Sequence, residues 1–383
     1  MIAAARVSAA IEVLDKVLGG APVEPCLTNW GRANRFAGSG DRAAIRDLVF
    51  DALRCKRSFA ALGGAETGRG LMVGWLRASG QTVDALFTGI GHAPSPITDH
   101  DAPKTATELE ALDCPDWLAP RVRRSLGPAF APVMTALQSR APVVLRVNLA
   151  RISRGAAQAL LAQDGIETAF HALAETALQV VTPTRKILTA QAYLDGLIEL
   201  QDAASQAVIA ALPLKNGLRV LDYCAGGGGK ALAMAARANI ALWAYDVEPS
   251  RMRDLPDRAR RAKAKITLMD DPGLHAPYDL VLADAPCSGS GSWRRDPAGK
   301  WKLTEALLVE LQRIQAEILD RTAALVAQNG MLAYATCSLL ADENDDQITL
   351  FLARHPDWRS VTTHHFTPLD GGDGFFLAIL RRV

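Results

Sequence analysis

Two cysteines stand where a thiol could react. Cys287 follows Asp284-Ala285-Pro286 and leads into Ser288-Gly289-Ser290-Gly291, and Cys337 lies in Thr336-Cys337-Ser338. Each comes just after an apolar run, Leu280 to Ala283 and Met331 to Ala335, that reads as a β-strand. A thiolate is a strong nucleophile, suited to adding to an electron-poor ring carbon and splitting one hard step into easier ones. A second thiol can help expel the first when the reaction is complete. Asp284 could hydrogen-bond the edge of such a ring and polarise it. A lone buried cysteine is more often a core filler, but two at strand ends beside an aspartate favour chemistry.

A third strand end carries a ligand loop. Asp222-Tyr223-Cys224-Ala225 runs into Gly226-Gly227-Gly228-Gly229-Lys230 and then a helix through Ala231 to Ala236. Consecutive glycines let the backbone turn tightly and approach a ligand closely. The candidate cofactor residues here are Cys224, Ala225, Gly226, Gly228, Gly229 and Lys230. A P-loop is excluded, because Cys224 would have to be glycine and Ala231 serine or threonine. Asp246 ends the next strand, twenty residues after Gly226, where an acid can reach the ribose hydroxyls of an adenosine ligand. Asp270, after the strand-like Ile266 to Met269, is placed to contact the base, and Asp284 borders the same crevice. The loop and acid admit either a dinucleotide or S-adenosylmethionine. A dinucleotide dehydrogenase leaves Cys287 and Cys337 unexplained. Beside a methyl donor the thiols have work to do. Carbon 5 of cytosine is too weak a nucleophile to take a methyl group unaided, and adding a thiolate at carbon 6 makes it an enamine carbon.

These residues need a scaffold. From Gln201 onward, the strands Leu218–Tyr223, Ile240–Tyr245, Leu280–Ala283 and Met331–Ala335 alternate with helices, which predicts a mostly parallel sheet covered on both faces. The helix from Thr304 is capped by that residue and carries Leu307, Leu311, Ile314, Ile318 and Leu325 as its expected apolar stripe. Residues 141–200 read as a small α/β module, with a strand at Val143–Val147 and a helix from Ser153 to Leu161. Residues 1–135 read as all helical. There Val7, Ile11, Leu14, Val17 and Leu18 make one apolar face, and a single helix is expected over Ala43–Leu62 with Arg42, Arg46, Arg54, Lys56 and Arg57 on its polar side.

Bulk properties exclude more than they assign. A chain of 383 residues with 49% hydrophobic and 22% charged residues is an ordinary globular mixture of two or three domains. No apolar run approaches the roughly 20 residues that span a bilayer, so a cytoplasmic protein without membrane contact is expected. None of the six cysteines forms a C-x-x-C pair, so neither a metal site nor a disulfide framework is expected. The formal net charge is only +1, so any nucleic-acid footprint must be a local patch.

The catalytic half resembles the RsmB/Nop/Sun family of RNA cytosine-5 methyltransferases. The likeness runs from Gln201-Asp202-Ala203-Ala204-Ser205-Gln206 through the glycine loop, Asp284-Ala285-Pro286-Cys287-Ser288-Gly289, Arg294-Arg295-Asp296-Pro297 and Lys300-Trp301. It continues through Tyr334-Ala335-Thr336-Cys337-Ser338, Glu343-Asn344 and Asp373-Gly374-Phe375-Phe376. The resemblance implies a Rossmann-like class I methyltransferase domain over residues 201–383, with S-adenosyl-L-methionine as cofactor. It implies Cys337 as nucleophile and Cys287 as the group assisting release, with Lys230, Asp246, Asp270 and Asp284 on cofactor or base. It also makes 141–200 an RNA-contacting module and 1–135 a NusB-like RNA-binding domain of the small-subunit rRNA members. The basic face Arg42, Arg46, Arg54, Lys56 and Arg57 together with Arg121, Arg123 and Arg124 suits phosphate contacts, with a solvated helix face as the alternative. Arg294, Arg295, Lys300 and Lys302, which follow the active-site loop, are further candidates, whereas the run Arg258, Arg260, Arg261, Lys263, Lys265 reads as a solvated helix face. The expected partner is RNA, with small-subunit rRNA ahead of tRNA, and an inactive ribosome assembly factor on the same fold is the alternative. One departure stands out. The family's Ala-Pro-Gly-Gly-Lys becomes an all-glycine stretch before Lys230, which predicts a looser cofactor loop.

Overall fold

The computed structural model describes every residue from 1 to 383 except Pro183 and Arg185. The chain divides into two compact units, one of residues 1–140 with 293–302 and one of residues 141–292 with 303–383.

The first unit is helical. Its main helices are Ala3–Leu18, Val23–Ala33, Ser39–Arg54, Lys56–Gly63 and Gly68–Ala78, packed around Val7, Leu14, Ile45, Val49, Leu71 and Leu76. The single helix expected over Ala43–Leu62 is in fact two. Cys55 breaks it at φ −112° and ψ 35°. The cause is Asp113, whose carboxylate accepts from the Arg57 amide at 2.7 Å and the Ser58 amide at 3.1 Å and so starts a new helix. Lys300 and Trp301, far along the chain, complete this unit by donating to the backbone carbonyls of Arg54 and Leu53.

The second unit holds two sheets. Strands β1 (Val144–Val147), β2 (Thr168–Phe170), β3 (Ala177–Val180) and β4 (Ile198–Leu200) form an antiparallel sheet in the order β2-β3-β1-β4. With helices Arg154–Gln163 and Gln191–Leu194 between them, this is a βαββαβ module. Ser153 caps the first helix, accepting from the Ala156 amide.

The larger sheet comprises β5 (Arg219–Asp222), β6 (Ala241–Ala244), β7 (Thr267–Leu268), β8 (Tyr278–Asp284), β9 (Val326–Thr336), β10 (Trp358–Phe366) and β11 (Phe375–Arg382). Their order is β10-β11-β9-β8-β5-β6-β7, with all strands running one way except β11, which lies antiparallel between β9 and β10, and this gives the Rossmann-like fold. Apolar side chains fill both faces, Leu221, Val281, Leu332 and Phe376 on one and Val220, Leu280, Leu282 and Ala333 on the other. That double burial explains the unbroken apolar runs of the sequence.

Helix Glu305–Leu325 starts at Thr304 as expected, with its hydroxyl accepting from the Leu307 amide. Its inner face overlaps the expected stripe in part, since Ile318 and Leu325 pack against the core. Leu308, Gln315, Leu319, Thr322 and Ala323 turn inward while Leu307 is exposed. A polar residue, Gln315, lies on the inner line because two loops beneath the helix need its amide. Among the described residues no helix is long and apolar enough to cross a membrane.

Candidate active site

Strand order reverses between β5 and β8, with β6 and β7 on one side and β9 on the other. A crevice opens at the carboxyl ends of strands at such a point. β5 delivers Asp222 and Cys224 there, β8 delivers Asp284, and β9 delivers Cys337 one residue past its end.

The two cysteines meet. Cys287 Sγ and Cys337 Sγ are 3.5 Å apart, and both residues are half-buried. They share a hydrogen bond, and the proton in it is biased. The bond from Cys287 moves the Cys337 thiol below its ordinary value, against burial and the charge of Asp284 and with help from the Lys230 ammonium. The same bond, then burial, moves Cys287 well above its ordinary value. Cys224 is no competitor, because burial first and then Asp284 and Asp222 push its thiol up.

A buried carboxylate fastens the two cysteine-bearing loops together. Glu343 accepts from the Ser288 amide at 2.8 Å, from the Ser288 and Ser338 hydroxyls, and from Gln315 Nε2 at 3.0 Å. Ser290 Oγ lies 3.1 Å from Ser338 Oγ and accepts from the Leu339 amide at 2.8 Å. The Gly291 amide donates to the Cys337 carbonyl at 2.9 Å. Gly374 packs so close that a Cβ on Gly291 would lie 2.1 Å from its carbonyl oxygen, so this position requires glycine. Such a satisfied network fixes sulfur positions tightly.

Beside the thiols, Lys230 Nζ donates to Asp284 Oδ2 at 2.5 Å and sits 4.8 Å from the centre of the Phe375 ring. Burial opposes the ammonium most, but Asp284, joined by Cys337 and Asp222, outweighs it and raises the Lys230 pKa. Asp222 is fully buried at the floor, and neither of its oxygens completes a hydrogen bond. Burial, then the charge of Asp284, raises its pKa to about 7, with Lys230 and the nearby Ala231 amide working the other way. A cavity of about 180 Å³ lies over it, lined by Gln201, Ser205, Cys224, Ala225, Gly229 and Lys230 together with the two aspartates.

The glycine loop is tied rather than slack. The Gly226 amide donates to Asp246 Oδ2 at 2.9 Å, and the Gly228 amide to the Ala225 carbonyl at 2.8 Å. Arg258 donates to the Gly227 carbonyl and, at 3.0 Å, to Glu199. Gly226 adopts φ +48°, a conformation disfavoured for a residue that precedes proline. The all-glycine stretch makes its turn with the help of Asp246 and Arg258. Asp246, almost fully buried, spends its carboxylate on this loop and on the Glu248 amide. Asp270 is exposed at the end of β7, two strands from β5 and outside the cluster around the thiols.

Residues 209–381 match the family described as 16S rRNA methyltransferase RsmB/F, and residues 114–186 match the ferredoxin-like domain of RsmF/B-like methyltransferases. The ribosomal RNA small subunit methyltransferase B of Photorhabdus laumondii is 31% identical over 303 residues, covering 72% of this chain and 70% of that protein. The chain belongs to the RsmB/F methyltransferase family. A Klebsiella pneumoniae protein of the same name is 34% identical, with 70% of this chain and 65% of that protein covered. In fold, the RsmB/F-family chain resembles PH0851 (TM-score 0.77, 23% identity, 100% of this chain and 99% of that one). It also resembles a methyltransferase homolog from Pyrococcus horikoshii (TM-score 0.63, 24% identity, 72% and 97%). S-adenosylmethionine is the cofactor of this RsmB/F methyltransferase.

Several cations expected to face RNA are occupied. Arg54 is buried, with its Nε donating to the Arg294 carbonyl at 2.7 Å. Arg42 donates to the Ala37 carbonyl, and Arg46, Lys56, Arg57 and Arg123 pair with Glu24, Glu66, Asp116 and Glu108. Arg121, Arg124 and Arg295 have partners of their own. Arg294 and Lys300 are buried inside the helical unit, and burial drives the Lys300 ammonium down to about 8. These side chains brace the protein, and Lys302 alone of the segment's expected contacts is exposed and unclaimed among the described residues. Nor is the run from Arg258 simply solvated, since Arg258 and Arg261 both clasp the buried Glu199. Asp222 and the serine network around Glu343 have roles that the sequence alone does not announce. A carboxylate closing an apolar strand is the available signal for Asp222. The Glu343 network draws on three distant segments and leaves no local pattern.

Proposed function

We propose that this chain methylates carbon 5 of a cytosine in RNA, with small-subunit rRNA as its substrate, through a covalent bond from Cys337 to carbon 6. The carrying observation is the 3.5 Å approach of the two sulfurs at the strand ends, beside the Lys230–Asp284 pair. Bound S-adenosylmethionine supplies an electrophilic methyl group. Its sulfonium and ammonium are cationic, and the acidic floor suits them. Asp222 brings two unmatched buried oxygens and Asp284 a second carboxylate. The cavity of about 180 Å³ would hold the methionine end of this cofactor, and Asp246 and Asp270 would be the residues for its adenosine.

Cys337, the first of the pair to lose its proton, is suited to add to carbon 6, with Lys230 steadying the thiolate. Asp284 Oδ1, left over from the Lys230 bond, can accept from the exocyclic amine of the ring. After transfer, the carbon 5 proton passes to a base, Cys287 or solvent, the electron pair of that carbon–hydrogen bond re-forms the 5,6 double bond, and Cys337 leaves as a thiolate, a release that Cys287 assists. A cytosine can meet Cys337 only when unstacked, so a loop or bulge is the expected target.

The test is methyl transfer to unmodified rRNA, with bisulfite sequencing to locate the product. Cys337→Ala should abolish transfer. Cys287→Ala should leave the chain able to attack, though more slowly at neutral pH, and accumulate a covalent RNA adduct on denaturing gels. An adduct with Cys337→Ala instead would reverse the two roles, and wild-type chain inert on every RNA would favour an assembly factor.

A further inference from the structure

A cavity of about 850 Å³ in the second unit lies away from the cysteines. Its walls include Asn216, Ile240 and Lys265, which precede β5, β6 and β7. It therefore opens at the amino ends of the strands whose carboxyl ends carry the active site. A four-residue strand separates the two by about 13 Å or more.

The lining has a defined chemistry. Val147, Ile209, Leu214 and Ile240 give apolar surface. Arg146, Arg237, Lys263 and Lys265 bring four cations, against the single carboxylate of Glu175. Arg146 is the decisive group. It is 4% exposed, its Nε is buried without a partner, and among the described residues its guanidinium makes no hydrogen bond. Its cross-strand neighbour is Glu199, but Arg258 and Arg261 already engage both oxygens of that carboxylate. Burial lowers the Arg146 pKa only to about 10, so the group stays charged at neutral pH. A buried, charged and unsatisfied arginine is costly unless something else satisfies it. Apolar walls with a cationic rim and a buried arginine suit a base with its attached phosphate, and a volume of several hundred Å³ is of the right order for such a ligand.

We propose that this cavity is a second RNA-binding site, which takes a phosphate-bearing nucleotide of the substrate at the end of the sheet opposite the reacting cytosine. The proposal rests on the RNA methyltransferase reading above for the identity of its ligand.

The test compares the full chain with Arg237→Glu/Lys265→Glu, two exposed changes outside the catalytic crevice, and with Arg146→Met. A labelled single-stranded oligoribonucleotide is titrated by fluorescence anisotropy across a salt series. Both variants should weaken binding about tenfold or more. The double variant should also flatten the salt dependence, by roughly 0.7 in slope for every phosphate it no longer neutralises. In the methyl-transfer assay the RNA KM should rise while kcat and S-adenosylmethionine affinity stay as in wild type. Unchanged RNA affinity and salt slope in the double variant would overturn the proposal. So would an Arg146→Met chain that loses thermal stability while keeping RNA affinity, because Arg146 would then be a strut. Should wild type bind RNA yet methylate none, the catalytic reading fails while the anisotropy result still decides the cavity.

Discussion

At the residue scale, the hydrogen bond between the two thiols does most to set reactivity. Cys287 is the first cause of the lowered Cys337 pKa, so Cys287→Ala should raise that pKa. Alkylation of Cys337 by iodoacetamide, followed against pH, should then shift its rising limb to higher pH, with less reaction at neutral pH than in wild type. Asp222 makes a second case. Its folded pKa is raised from 3.8 to about 7, so the folded state binds more protons than the unfolded state between those values. Stability attributable to this group is therefore present at low pH and lost as pH rises through 7. Asp222→Asn should be the more stable protein above pH 7, by up to about 4 kcal/mol from the size of the shift, and should bind S-adenosylmethionine at least tenfold more weakly. Thermal unfolding across pH and calorimetric titration check the two halves. The cysteines and Asp284 are legible in the sequence because each sits at or just beyond the end of an apolar strand. Glu343 is visible only as part of a motif, since its task depends on Ser288, Gln315 and Ser338 converging from separate segments.

At the scale of elements, parallel strands buried on both faces announce themselves as apolar runs, and β5, β6, β8 and β9 are readable that way. The antiparallel pair β10 and β11 is not. β10 is an edge strand with little burial on either side, His364 and His365 included, so its sequence lacks the run that marks the others. Helix Glu305–Leu325 is legible in position and in part in rotation, through Ile318 and Leu325, but hydrophobicity cannot reveal that a glutamine, Gln315, is wanted inside. The glycine loop follows a related logic. Loss of a proline predicts slackness, but a side chain from another helix, Arg258, takes up the restraint through the Gly227 carbonyl and Glu199. Arg258→Ala should raise the S-adenosylmethionine KM by roughly tenfold, in line with loss of charge-assisted hydrogen bonds worth about 1.5–3 kcal/mol, while kcat changes little. Steady-state kinetics with RNA in excess separate the two parameters, and a collapse of kcat alone would place Arg258 elsewhere in the cycle.

At the scale of the whole molecule, a net charge of +1 conceals a supply of cations that is largely committed to internal carboxylates and carbonyls. The division into units is also not a division of the sequence. Residues 293–302 leave the sheet-bearing unit and pack with the helices of residues 1–140. There Ala298 joins the core, Lys300 is buried and the Trp301 indole donates to Leu53 at 2.7 Å. A chain starting at residue 141 should therefore expose Trp293, Ala298 and Trp301 and aggregate, or melt well below the full chain. Light scattering and circular dichroism of that fragment check this, and a monomer with undiminished melting temperature would contradict it. The same interruption orders events during synthesis. The helices made first hold nearly all of their apolar core, and what waits for residues 298–302 is the Ala298 position and the donors to the Arg54 and Leu53 carbonyls, by which point the chain of β1 to β8 has been made. Maturation of the amino-terminal unit is thus scheduled by the completion of the segment that directly follows Cys287.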